Sequence, residues 1–331
     1  LSALGDIIHT VPAIQSLAGE FPEIEIHWLT TPPYHEFLSA VKGIDKVWAI
    51  DLKQGLAGIP GVFSVLQKVR REKFDCVIDF QGLLKSAIPA RFSGAPQVFG
   101  PARSQAREPL ASRFYTNPIN VLGDRLHQVE YHHGLALGGV LQQSPVAQIN
   151  LKIPEKAIDF VKTQLEQLQL HLPILLNPGG GWETKLWGPD NFARLSRLIE
   201  ENLGVHTLFT YGPGEKKLVD SIAQLGPGPV RTFPTSIMEL AALCKQSRLI
   251  VAGDTGPLHL GVAMGLPAVG ILGPALPWRT GPFGSANISV THSRPCPHPY
   301  RRVCKDHYCM DISVKDVFES VKARFEKEGA F

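Results

Sequence analysis

The chain has 331 residues, of which 44% are hydrophobic and 19% charged, and its net charge is +3. These values describe a globular protein with room for two domains, each with its own core, and exclude a general nucleic-acid binder. No apolar run reaches membrane-spanning length and no stretch reads as a signal peptide. Five cysteines, three of them crowded between 296 and 309, do not form the framework of a secreted disulfide scaffold, so cytosolic thiols are expected.

The chain opens directly in a loop, and a β-strand is expected ahead of it. Leu1 to Ile14 reads as that loop turning into a helix, with Gly5 permitting a tight turn. Asp6 falls at the helix start, where the dipole favours a carboxylate. It reads either as a plain cap or as a base facing a cleft. His9 packs beneath the same loop. Strands are expected at Glu25–Thr30 and Lys46–Ile50, then a glycine-containing loop from Lys53 to Gly61 and a helix from Val62 to Glu72. Phe74 to Phe80 reads as a buried strand running into Gln81-Gly82 and a second helix. Val98 to Gly100 is a further short strand. From Lys85 to Arg113 five basic residues (Lys85, Arg91, Arg103, Arg107, Arg113) stand against one acid, Glu108. That run is either a solvated face or, at Arg103 and Arg107, a pair of guanidiniums able to clamp carboxylates or phosphates. His127 opens another helix. His132 and His133 are neighbours in sequence, point different ways and make a poor metal pair.

Pro145, Pro154 and Pro173 surround one amphipathic helix, Glu155–Leu168, and place the domain junction, giving domains 1–150 and 151–331. The second domain reads as alternating strands and helices: strands at 174–178, 207–211, 248–252 and 268–272, helices at 191–202, 237–245 and 255–264. Its loops at 178–185, 211–215 and 253–259 fall at one end of a parallel sheet, where such sheets bind ligands. In the first, three glycines with Thr184 and Lys185 suit a phosphate, although the spacing is not that of a Walker A loop. In the second, Glu215 suits either ribose hydroxyls or the start of a helix. In the third, Asp254 or Thr255 caps a helix whose first turn holds Pro257, and helix N-termini favour anions. Cys296, Cys304 and Cys309, with His298 or His307, have the chemistry of zinc ligands but not the spacing of a zinc ribbon, so no metal is expected. Ile312–Lys327 is a terminal amphipathic helix.

Taken together, Ser2–Pro12, Ile78–Ser86, Ala106–Ser112, Trp182–Trp187 and Gly253–Leu260 resemble the ADP-heptose:lipopolysaccharide heptosyltransferases of glycosyltransferase family 9. The Gln81–Ser86 and Ala106–Leu110 segments look most like the heptosyltransferase I branch. The resemblance implies an α/β GT-B fold: two Rossmann-like domains facing a cleft, acceptor on the first, nucleotide-sugar on the second, and a last helix crossing back. It implies an inverting, metal-independent transfer of heptose from ADP-heptose to Kdo-lipid A, with no cofactor. By the same resemblance Asp6 is the catalytic base, and Lys185 and Thr184 meet the ADP phosphates. Asp254, Thr255 and Gly256 bind the nucleotide, His259 orients their loop, and Glu215 meets ribose. Lys85, Arg107 and Lys53 are the implied acceptor contacts. The alternatives are heptosyltransferase II or another family 9 enzyme and, from a different class, a non-catalytic nucleotide-sugar-binding protein. The expected setting is cytoplasmic and peripheral at the inner membrane, guided by the basic residues between 85 and 113.

Overall fold

The computed structural model describes residues 3–53, 58–139, 145–146, 148–225 and 230–328. Leu1, Ser2 and the centre of the 53–61 loop lie outside them. The chain divides into two units, Leu1–Lys152 and Ile153–Phe331. The junction falls two residues beyond the one read from the prolines. The reason is a clamp: Lys42 N–H donates to Asn150 O, Lys152 N–H donates to Ala40 O, and the Gln15 side chain bonds both Lys42 O and Asn150 O. Residues 150–152 are thereby tied to the first unit.

The first unit runs α1 (Leu4–Glu20), β1 (His27–Thr30), α2 (His35–Ser39), β2 (Lys46–Ala49), α3 (Ile59–Arg71), β3 (Cys76–Ile78), α4 (Leu84–Phe92), β4 (Gln97–Pro101), β5 (Asn117–Ile119) and α5 (Gln128–Ala136). All its strand pairs are parallel, β1 with β2 and β3-β4-β5 in order. Parallel pairing requires crossover connections, which explains the alternation with helices. Two expectations need correction. Gly5 lies inside α1, so its place is the first helical turn and not a tight turn. The Phe74–Phe80 stretch forms only a three-residue strand with Cys76 exposed, because it is paired on one side alone. Helix α5 begins as expected: His127 caps it, accepting from Val129 N–H, while Glu130 reaches back to His127 N–H.

The second unit runs α6 (Glu155–Gln167), β6 (Ile174–Asn177), α7 (Pro189–Leu203), β7 (Thr207–Tyr211), α8 (Lys216–Gln224), β8 (Thr232–Pro234), α9 (Ile237–Cys244), β9 (Leu249–Gly253), α10 (Gly256–Ala263), β10 (Ala268–Ile271), α11 (Pro277–Thr280), β11 (Ile288–Val290) and α12 (Val314–Glu328). Strands β8 and β11 are additional to the sequence reading, and α8 starts where Glu215 was one candidate for a helix start. The sheet is parallel throughout, in the order β11-β10-β9-β6-β7-β8. Chain direction across the sheet reverses between β6 and β9. That pair is the topological switch point, and the crevice beyond its carboxyl ends is where open sheets receive ligands. The core beneath it is built from Leu176, Phe209, Val251 and Ile271 of the sheet against Phe192, Leu195 and Ile199 of α7 and Val317 and Val321 of α12. The four sheet residues alternate with others covered from the opposite face, as both-sided burial of a parallel sheet demands.

Gly100 has no room for a side chain. A Cβ on Gly100 of β4 would stand 2.5 Å from the Tyr115 ring, and the Tyr115 hydroxyl holds Asp79 at 2.7 Å. We expect Gly100→Ala to cost about 1–3 kcal/mol, the usual penalty of overpacking. Urea denaturation checks it. An unchanged midpoint would mean that the ring has space to retreat.

Candidate functional site

The chemistry gathers in two places, one in each unit. In the second unit the loops after β6 and β9 meet at the switch point. The loop after β6 holds Gly179, Trp182, Thr184 and Lys185, and the β9–α10 turn holds Asp254 and Thr255. Asp254 is buried (8% exposed) and has three side-chain partners. Lys185 Nζ donates to its Oδ2 at 2.8 Å and to its carbonyl at 3.0 Å. His259 Nε2 lies 3.0 Å from Oδ1, and the Thr280 hydroxyl donates to Oδ2 at 3.3 Å. Burial alone would raise the Asp254 carboxyl, but the His259 and Lys185 contacts hold it down at about 2, against an ordinary 3.8. The charge therefore persists at neutral pH and fixes the Lys185 ammonium. The same ammonium sits 4.4 Å from the Trp182 ring centre, and the Arg302 guanidinium sits 5.1 Å from it.

Thr255 occupies the N-cap position of α10, with Pro257 in the first turn as expected. First-turn amides of a helix have no intrahelical acceptor, so Gly256 and Leu258 present N–H groups in the turn that follows Asp254, the partner of Lys185. The Thr184 hydroxyl is buried and donates to Arg301 O at 2.8 Å, which ties this loop to the segment after β11. Glu215 stands at a helix start, as one of its two readings had it. It stands at the N-cap position of α8, and its carboxylate accepts from Gly212 N–H at 2.9 Å. A Cβ on Gly179 would lie 2.1 Å from that carboxylate, so glycine there lets the first two loops touch. The three loops predicted to share one end of the sheet do share it.

In the first unit Asp6 sits in the first turn of α1 and accepts a two-pronged bond from Arg107, at 2.8 Å and 3.1 Å. Arg107 is placed by its neighbours. Gly82 adopts φ +64, and a Cβ there would meet Ala106 Cα at 3.1 Å and Arg107 N at 3.2 Å. Glu108 N–H donates to Gly82 O at 2.9 Å, and the Glu108 carboxylate accepts from Leu84 N–H at 2.6 Å, serving the start of α4 from another loop. The Gln81–Ser86 and Ala106–Leu110 segments thus form one unit of structure. Behind Asp6, the Thr10 hydroxyl donates to Asp6 O at 2.8 Å and lies 2.9 Å from His132 Nδ1. Burial, with Arg107 nearby, pushes His132 down to about 4, although Asp6 opposes the shift. His9 is buried edge-on to His127, 5.3 Å between ring centres. Burial also raises the Tyr34 hydroxyl, a backbone bond from Leu4 opposes this, and the Asp6 charge adds to it, which places Tyr34 at the start of α1.

Lys85 is exposed at the second position of α4, and Lys53 is exposed with its N–H on Asp51. Neither joins the Asp6 cluster through a described contact. Among the described residues no group of His, Cys, Asp and Glu could hold a metal ion. Cys296 and Cys309 do touch, and burial together with that contact pushes the Cys309 thiol up to about 12. Sequence reasoning did not find Trp182, Thr280, Tyr300 or Arg302 as parts of the second-unit cluster. Only Tyr300, at φ +62 and within 3.3 Å of Thr280, has a conformational signature, and it is not legible from residue type.

Comparison with known proteins agrees with this picture. The model for Glycosyltransferase family 9 (heptosyltransferase) matches residues 62–308. Lipopolysaccharide heptosyltransferase 1 of Pseudomonas aeruginosa is 30% identical over 318 residues, covering 92% of this chain and 85% of that protein. Among solved structures, a family 9 glycosyl transferase from Veillonella parvula superposes with a TM-score of 0.82 at 21% identity, covering 99% of this chain and 95% of that one. The E. coli heptosyltransferase WaaC with ADP gives 0.75 at 21%, covering 98% of both. The fold is GT-B, with two Rossmann-like units.

The buried His132 makes stability depend on pH. Its folded value of about 4 lies below the ordinary 6.5, so the unfolded chain binds the extra proton and stability falls as pH drops from 6.5 to 4. The corresponding loss from Asp254 begins only below 3.8. We expect His132→Gln to lose less stability than the parent protein on going from neutral pH to about 4.5, by roughly 2–3 kcal/mol. Urea midpoints at the two pH values measure it. Parallel losses in both proteins would show that His132 is not held neutral.

Proposed function

We propose, for a chain that belongs to glycosyltransferase family 9 and is a glycosyltransferase of lipopolysaccharide core synthesis, that the reaction moves heptose from ADP-heptose to the Kdo sugar of Kdo-lipid A. The observation that carries the donor half is the Lys185–Asp254 pair beside the first turn of α10. A fixed ammonium and helix amides together suit a diphosphate, and the relative WaaC holds ADP in its solved structure.

In this reading Asp6 removes the proton from an acceptor hydroxyl. The acceptor oxygen bonds to the anomeric carbon of heptose from the face opposite the diphosphate. The bond from that carbon to the phosphate oxygen breaks, ADP leaves with the electron pair, and the configuration inverts. Lys185 and the Gly256 and Leu258 amides stabilise the charge that grows on the leaving diphosphate. Asp254 and His259 act on Lys185 and the turn and have no need to touch ADP themselves. Thr255 and Gly256 lie nearest the phosphates, with Thr184 and Glu215 shaping the neighbouring loops. Arg107 orients Asp6 through its fork and offers a guanidinium to the Kdo carboxylate. Lys85 and Lys53 add positive charge on the acceptor side. The protein works as a peripheral protein at the inner leaflet; no helix among the described residues is long and apolar enough to cross a membrane.

The direct test is ADP release from ADP-heptose with and without Kdo-lipid A. Release that requires Kdo-lipid A supports the reading. Release only with an already heptosylated acceptor would move the chain to a later step. Asp6→Ala should lower turnover by about 100-fold or more while ADP affinity stays within about twofold, since a positioned base contributes on that scale. Retained turnover would remove Asp6 from the mechanism. Arg107→Ala should raise KM for the acceptor by roughly tenfold or more, as expected for a charge-assisted fork. An unchanged KM alongside lowered kcat would confine Arg107 to orienting Asp6.

A further inference from the structure

We infer that the face formed by α3 and α4 in the first unit docks on an anionic lipid surface. This deepens the peripheral-membrane part of the proposed function, but it rests on a surface that contains no residue of the Asp6 or Asp254 clusters.

Ile59 and Phe63 on α3 and Ile88 on α4 are large apolar side chains exposed to 56%, 48% and 49%. Single exposed apolar residues are ordinary, but these are not scattered. Positions 59, 63 and 70 fall on one stripe of α3, and 85, 88 and 92 fall on one stripe of α4. Phe63 and Phe92 join the two stripes, with 5.7 Å between ring centres. The Arg70 guanidinium lies 5.7 Å from the Phe92 ring centre, which sets a cation at the seam.

The charge on this face has one sign. Helices α3 and α4 carry Lys68, Arg70, Arg71, Lys85 and Arg91 and not a single Asp or Glu. Two adjoining acids, Glu72 and Glu108, have partners of their own. Glu72 pairs with Lys46 at 2.7 Å, and Glu108 accepts from the Leu84 amide. Exposed apolar side chains interleaved with cations are the composition of an interfacial surface: the apolar groups enter the boundary of headgroup and acyl chain while the cations meet anionic headgroups. A second copy of the chain would bring Arg70 and Lys85 against their own counterparts, which disfavours self-association through this face.

The test is flotation with vesicles of phosphatidylcholine containing about one-third phosphatidylglycerol, set against pure phosphatidylcholine. Two variants separate the contributions: Phe63→Ser with Ile88→Ser, and Arg70→Gln with Arg91→Gln. All four side chains are exposed, so both proteins should stay folded, which a cooperative thermal transition for each checks. We expect the parent protein to float with the anionic vesicles, to stay behind with the neutral ones, and to be released by high salt. The double glutamine variant should partition roughly 30-fold more weakly, each cation near the surface being worth about fivefold. The double serine variant should weaken binding at every salt concentration. Absence of the parent protein from anionic vesicles would overturn the inference, as would binding that both variants retain. A concentration-dependent dimer that Phe63→Ser dissociates would overturn it too, by assigning the face to a second copy. Because the readout is flotation and not turnover, failure here leaves the glycosyl-transfer reading untouched, and loss of turnover leaves this inference untouched.

Discussion

A buried carboxylate at the switch point of a parallel sheet governs the second unit. Asp254 has little solvent to stabilise its charge, so it must be compensated from within the protein. Lys185, His259 and Thr280 supply the compensation, one from each of three elements. An ion pair of this kind is weak evidence for stability, because desolvation offsets most of the attraction. Its consequence is positional. The flexible lysine stem is fixed beside the first turn of α10, and the loop after β6 is fixed to the turn after β9. The sheet order makes this possible, because only β6 and β9 are neighbours whose following connections leave in opposite directions.

The first unit uses a comparable device with different parts. There a glycine with positive φ lets two backbone segments approach closely, and Glu108 binds the start of α4 from the other segment. Arg107 stands between Gly82's partner backbone and Asp6, so its placement follows from the loop and not from its own rotamer preference. The Thr10–His132 contact fixes the backbone of Asp6 from beneath. Both clusters share a logic: a charged group is held by a second charge, and the second charge is held by backbone.

How much of this was legible in the sequence depended on the range of the interactions. Strands β6, β7, β9 and β10 are apolar runs bounded by Pro and Gly, and their placing needs only local pattern. The turn from Gly253 to Pro257 has cap and proline signals, and it folds as read. Strand β8 escaped because it is three residues long and ends in Pro234, too short to show a period. Strand β3 read as buried because its residues are apolar, yet burial depends on pairing partners that composition does not encode. Asp6, Lys185 and Asp254 were legible as chemistry, but the partnership of Lys185 with Asp254 spans 69 residues and that of Asp6 with Arg107 spans 101. Arg302, and Tyr300 through Thr280, join the cluster because the segment after β11 folds back over the loop after β6, and Thr280 reaches Asp254 from α11; these are tertiary events without a local signature, whereas Trp182 meets Lys185 within its own loop.

The central claim is that Asp254 serves the ligand through Lys185. The measurement that addresses it most directly is a double-mutant cycle on ADP affinity, read by titration calorimetry on the parent protein, Lys185→Met, Asp254→Asn and the pair combined. If the account holds, each single change weakens ADP, and the combined variant binds no more weakly than Lys185→Met alone, with a coupling of about 1–3 kcal/mol. If the two losses simply add, Asp254 meets the nucleotide on its own, and the ion pair is not what organises the site.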